Sequence, residues 1–112
     1  MARSRRRLPV VWTEAAARDM AEIATFVAGE SPSGALRLLD RLHERARLLE
    51  ASPRRGRFVP EMAAQGLRTW RELVAPPHRI VYRIDDRAVH VLAVLDARRD
   101  LADVLLDRLV RS

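Results

Sequence analysis

RTWRELVAPPHRIVYRIDDRAVHVLAVLD, residues 68–96, decides the fold. It holds three extended runs, 68–75, 79–84 and 88–96, each rich in Val, Ile, Trp or Tyr and separated by short turns. Asp tolerates turn conformations, so the DDR segment at 85–87 reads as a hairpin and the three runs as an antiparallel meander. Side chains two apart share a strand face. Ile80, Tyr82 and Ile84 therefore point one way and Arg79, Val81 and Arg83 the other. In the last run Val89, Val91, Ala93 and Leu95 alternate onto one face and Leu92 and Val94 onto the opposite one, which predicts a strand buried on both sides. The arginine-bearing face of the middle run has two readings. It is a solvated sheet face, or Arg79 and Arg83 join Arg98 and Arg99 around a concave site that grips phosphate or carboxylate.

Toward the N-terminus the period changes from two to between three and four. After a basic arm over 1–7, expected to be flexible, LPVVW at 8–12 reads as an edge strand, where Pro9 is tolerated. Thr13 is placed to cap a helix over 14–28, whose stripe is Ala16, Met20, Ile23, Ala24 and Val27, with Arg18, Asp19 and Glu22 elsewhere. Gly29 stops it. Ser31 and Pro32 then start a second helix that runs to about 51, with Ala35, Leu38, Leu39, Leu42, Ala46 and Leu49 inward and Arg37, Arg41, Glu44 and Arg45 outward. The short connection predicts an antiparallel helical hairpin. Leu36 and Leu48 fall off the stripe, as ordinary exposed leucines or as an apolar surface kept for a partner. SPRRGRFVPEM at 52–62 reads as a surface loop, and 98–112 returns to helical spacing with an apolar stripe suited to the second sheet face.

One domain over 1–112 accounts for the length. The chain has no cysteine, and His43, His78 and His90 share no ligand spacing, so neither a metal nor another cofactor is expected. It contains no long apolar span or secretory leader, which points to a cytoplasmic protein without a membrane segment. All 21 basic residues are arginine and the formal net charge is +6. This composition reflects coding bias, or it favours an acidic partner, either nucleic acid or an acidic protein segment.

The segments WTEAAARDMAEIATFVA, SPRRGRFVPEM, RELVAPPHRIVYRI and VHVLAVLDARRD occur in an order that resembles the ParE branch of the ParE/RelE toxin superfamily, over residues 10–100. The resemblance implies an α+β fold: an N-terminal strand, an antiparallel helical hairpin packed on a three- to four-stranded, mainly antiparallel sheet, and a short C-terminal helix. It also implies the toxin of a type II toxin–antitoxin pair, held in a hetero-oligomer by a cognate antitoxin whose C-terminal segment wraps it. ParE-like members poison DNA gyrase, whereas RelE-like members cleave mRNA on the ribosome. Cleavage needs a group to activate the 2′-hydroxyl and a donor for the leaving oxygen. The nuclease branch commonly carries a Tyr or His-Tyr near its last strand. Here no histidine follows His90 and Tyr82 faces the expected core, although Arg79, Arg98 and Arg99 match the cationic part of that pattern. The preferred reading is thus a gyrase-directed binding poison without turnover, with a RelE-type endoribonuclease or a non-toxic antitoxin-binding module as alternatives. The antitoxin segment is expected to be acidic and amphipathic and to dock on the hairpin ridge at Leu36 and Leu48. Many ParE-like proteins have His where this chain has Asp96, and a carboxylate there lowers the positive potential beside Arg98 and Arg99.

Overall fold

The structure, a computed structural model, describes residues 7–97 together with 104 and 108. Strand β1 (Val10–Trp12) leads into helices α1 (Glu14–Ala28) and α2 (Pro32–Arg47). Strand β2 (Arg57–Phe58), the helical turn α3 (Pro60–Ala63) and strands β3 (Trp70–Ala75), β4 (His78–Ile84) and β5 (Val89–Asp96) follow. The strands form one five-stranded sheet in the order β1-β5-β4-β3-β2. Among the described strands only the β1–β5 pair is parallel, with Val10 opposite Val89.

The helix ends follow from local chemistry. The Thr13 hydroxyl accepts from the Ala16 N–H at 3.2 Å and donates to the Val91 carbonyl at 2.9 Å, so one side chain caps α1 and ties it to β5. The Ser31 hydroxyl accepts from the Gly34 N–H at 2.9 Å, with Pro32 opening α2. Helical pattern continues to Ala51 in sequence, but α2 ends at Arg47 and tightens into a 3-10 turn over Leu48–Glu50.

The hairpin lies over one face of the sheet. Ala16, Met20, Leu38, Leu42 and Leu49 pack there against Ile80, Tyr82, Val89, Val91 and Val94. Full burial of a leucine such as Leu42 or Leu49 is worth about 1.5–3 kcal/mol each.

The opposite face is covered as well, as the burial of β5 on both sides requires, and it is the solvated reading of the β4 arginine face that fails. Val59 and Met62 pack on Val81, Ala93 and Leu95, with Trp70 and Val104 at the margin, so that face carries a second small core instead of a solvated strip. The segment read as a surface loop supplies this cover. Pro53–Arg55 is a 3-10 turn, Arg57–Phe58 adds a fifth strand against β3, and Pro60–Ala63 lays Met62 inward. Val104 and Arg108 are helical, and the remainder of the expected C-terminal helix lies outside the described residues, as do positions 1–6 of the basic arm. Arg7 at the end of that arm pairs with Glu50 at 3.3 Å.

Two further corrections concern single residues. Val81 pairs with Ala93 but Tyr82 pairs with Val91, so the ladder skips Leu92. The bulge inverts the alternation. Val89 and Val91 face the hairpin while Ala93 and Leu95 face the second core, and Val94, not Ala93, joins the hairpin side. Asp19, placed by pattern away from the apolar stripe, is buried. β1 pairs with β5 only as far as Val91, and beyond it the Val94 N–H donates to the Asp19 carboxylate at 2.9 Å. Arg108 donates to the other Asp19 oxygen at 2.7 Å, which ties α1, β5 and the C-terminal segment at one point.

Candidate functional site

Alternation places Arg79 on the second sheet face, and the structure then encloses it. Its residue is 7 % exposed. Glu72 stands diagonally across on β3, and Arg79 Nε donates to Glu72 Oε1 at 2.6 Å. Arg79 Nη1 and Nη2 donate to the two Glu61 oxygens at 3.0 and 2.8 Å, a bidentate fork onto the helical turn α3. The fully buried Glu72 carboxylate accepts from Arg57 Nε on β2 at 2.7 Å through its second oxygen. Burial disfavours the charged guanidinium, but the hydrogen bonds to Glu61 and Glu72 outweigh it and raise the Arg79 pKa. Arg79 is thus a clamp between β4, β3 and α3, and the expected open basic strip does not exist at this position. Glu61 and Glu72 were missed as site residues; the one sequence signal was an acid inside the apolar run RELVA.

Arg83 lies at the other end of β4, opposite Trp70 and His90. Its guanidinium is 3.5 Å from Asp85, a contact too long and exposed to matter much for stability. Asp85 organises the hairpin turn: its carboxylate accepts from the Arg87 and Ala88 N–H groups at 2.8 and 2.9 Å and meets His90 Nε2 at 2.8 Å. Those hydrogen bonds hold its carboxyl well below the usual range. Arg79 and Arg83 therefore do not converge, and Arg98 and Arg99 lie outside the described residues.

The lone tyrosine is committed as well. Tyr82 Oη donates to the Pro53 carbonyl at 2.7 Å and accepts from the Gly56 N–H at 2.9 Å, and burial pushes the phenol pKa up. A cavity of about 550 Å³ opens where the hairpin tip meets the ends of β4 and β5, walled by Ile23, Phe26, Val27, Leu38 and His78.

The family model described as "ParE toxin of type II toxin-antitoxin system, parDE" matches residues 10–101. The chain belongs to the ParE toxin family. Toxin RelE2 of Caulobacter vibrioides is 36 % identical over 91 residues, covering 80 % of this chain and 96 % of that protein. A solved structure described as a chromosomal ParDE TA system from P. aeruginosa shares the fold. It has a TM-score of 0.66 at 20 % identity and covers 81 % of this chain and 97 % of that one. In this ParE-family toxin the side chains just described are mounted on the shared α+β frame.

Two exposed apolar residues of the ParE-family chain lie where the sequence placed them. Leu36 is 65 % exposed on α2, and Leu48 is exposed in the 3-10 turn that follows it. Phe26 on α1, assigned to no role by pattern, is 78 % exposed and borders the cavity.

His78 in the cavity wall gives a pH prediction. It is buried, its Nδ1 has no hydrogen-bond partner, and it stands opposite Asp96 in the ladder. Burial lowers its pKa; the Asp96 charge opposes this, and Arg41 reinforces it. The unfolded chain then binds the proton more readily than the folded one, so stability falls as pH drops through the unfolded value of about 6.5 toward the lower folded one. Denaturant midpoints measured across that range should decline toward acid in the parent and flatten in His78→Gln. An unchanged acid slope in the variant would assign the effect elsewhere.

Proposed function

We propose that this ParE-family toxin is a binding poison of DNA gyrase, acting in the cytoplasm and silenced by a cognate antitoxin in a hetero-oligomer. The observation that carries the gyrase reading is the commitment of Tyr82. Cleavage of RNA at a ribosome calls for a side chain able to take the 2′-hydroxyl proton and another to protonate the leaving oxygen. The Tyr82 hydroxyl is bonded on both sides and its pKa is raised. His90 is held by Asp85, and His78 is buried. Arg79, the cation best matched to a scissile phosphate by position, is neutralised by two carboxylates. These placements favour a surface that binds over one that turns over. Among the described residues no helix is long and apolar enough to cross a membrane.

The chain should be induced alone in a bacterial host. Gyrase poisoning predicts filamentation, double-strand breaks and loss of supercoiling activity when purified toxin meets purified gyrase. Global mRNA cleavage with intact DNA would replace this reading with the nuclease one, and unaffected growth would make the chain a non-toxic partner of its antitoxin.

For the antitoxin, an acidic amphipathic helix laid along the hairpin ridge fits both the formal charge of +6 and the outward apolar side chain of Leu36. Leu36→Asp should weaken the complex by tenfold or more, about 1.4 kcal/mol, while the free toxin melts within a few degrees of the parent. A variant that binds antitoxin normally removes Leu36 from the interface.

A further inference from the structure

The segment read as a loop concentrates charge along one edge of the sheet. Arg54, Arg55 and Arg57 are exposed within four residues, on the 3-10 turn and on β2. Arg71 on β3 joins them, since its guanidinium donates to the Gly56 carbonyl at 2.8 Å. The same guanidinium stacks over the Phe58 ring at 4.1 Å. Nearby carboxylates do not cancel this group. Glu72 is fully buried and divided between Arg57 and Arg79, and Glu61 is forked onto Arg79, so among the described residues Arg54, Arg55 and Arg71 form no ion pair, and Arg57 keeps a largely exposed side chain. The arrangement is also rigid, because the Arg57 and Arg71 side chains are anchored by a buried carboxylate and by a carbonyl plus a ring.

We infer that this β2 edge, carrying Arg54, Arg55, Arg57 and Arg71, binds the phosphate backbone of duplex nucleic acid. Guanidinium groups match phosphate oxygens in a two-donor geometry, and a row of them on a fixed edge follows a regular backbone. A single strand is a poorer match. Sequence-tolerant single-strand binding relies on open aromatic faces on which bases stack. The aromatic ring on this edge, Phe58, already carries the Arg71 guanidinium on its face. An acidic protein segment would satisfy the charges, but a flexible peptide gains little from guanidinium groups held fixed as Arg57 and Arg71 are, whereas a duplex backbone of fixed geometry does. The inference stands apart from the gyrase reading, since it concerns direct contact with nucleic acid.

The test uses the full chain and short fluorescent probes: duplex DNA, duplex RNA, single-stranded RNA and an acidic peptide. Duplex binding should weaken with salt, and Arg54→Gln/Arg55→Gln should reduce the slope of log affinity against log salt by about 1.8, from about 0.9 per phosphate contact. Affinity near 0.1 M salt should drop tenfold or more. Neither arginine is in the Glu72 clamp, so the variant should fold, which a melting curve checks. A charge-matched control, Arg37→Gln/Arg41→Gln on α2, should leave the slope nearly unchanged. Equal losses in the two double variants would show diffuse charge rather than a site and overturn the inference. So would tighter binding of single-stranded RNA or of the acidic peptide than of duplex. The two duplex arms separate DNA from RNA as the source of the backbone. Gyrase inhibition is scored separately, so failure of one reading leaves the other standing.

Discussion

Arg79→Ala should cost the folded toxin about 3–5 kcal/mol, whereas Arg83→Gln should cost less than about 0.5 kcal/mol. The two residues share a strand face and differ in what covers them. Removing Arg79 leaves Glu72, a carboxylate with no exposed side-chain surface, holding only its bond to Arg57, and leaves Glu61 without its fork. Most of the expected loss is the penalty of an orphaned buried charge rather than the intrinsic worth of the pair. Urea unfolding of the two variants gives the comparison directly. If Arg79→Ala unfolds at the parent's midpoint, the clamp is not formed in solution. In toxicity assays the same distinction matters: a non-toxic Arg79 variant reports a loosened sheet unless it still binds antitoxin, while a non-toxic, fully stable Arg83 variant reports a lost contact.

Gly56→Ala should be nearly as damaging, by about 2–4 kcal/mol, although one methyl group is all it adds. The backbone at Gly56 is ordinary, with φ of −77°, so the requirement is for space and not for conformation. A Cβ there would sit 2.5 Å from the Glu72 carbonyl oxygen and 2.7 Å from Tyr82 Oη. Overpacking of that kind costs about 1–3 kcal/mol, and displacement of the Gly56 N–H from the tyrosine adds about 1 kcal/mol. Tyr82→Phe removes one of the two clashes but not the backbone one. The double variant should therefore be less destabilised than the sum of the singles yet remain below the parent. Strict additivity in chemical denaturation would mean the two groups do not meet.

The hairpin was legible because its signals are local: Thr13, Ser31 and Pro32 announce helix starts within a few residues of the stripes they precede. The meander was legible for the same reason. What escaped depends on contacts distant in sequence. The bulge at Leu92 has no glycine and lies in an unbroken apolar run, so a slipped alternation there looks identical to a regular one. β2 is only two residues long and sits among turn formers. The face of Arg79 followed from strand period, but its burial required Glu61 and Glu72 to arrive from a turn and a strand elsewhere. Asp19 likewise shows its purpose only once β5 outruns β1.

The parallel pairing of the first strand with the last bears on when the molecule becomes itself. Val89 donates its N–H to the Pro9 carbonyl, and Thr13 is bonded to Val91 through both its backbone and its hydroxyl. During synthesis, β1 has left the ribosome long before its neighbour in the sheet has been translated. Local pairings such as the helical hairpin have the shortest loops to close, and the β1–β5 closure has among the longest. Until β5 emerges, β1 has no sheet partner and the part of the hairpin that meets Val89, Val91 and Val94 stays uncovered. Completion of the sheet therefore waits on the last of its five strands in chain order, and β1 closes late among its pairings.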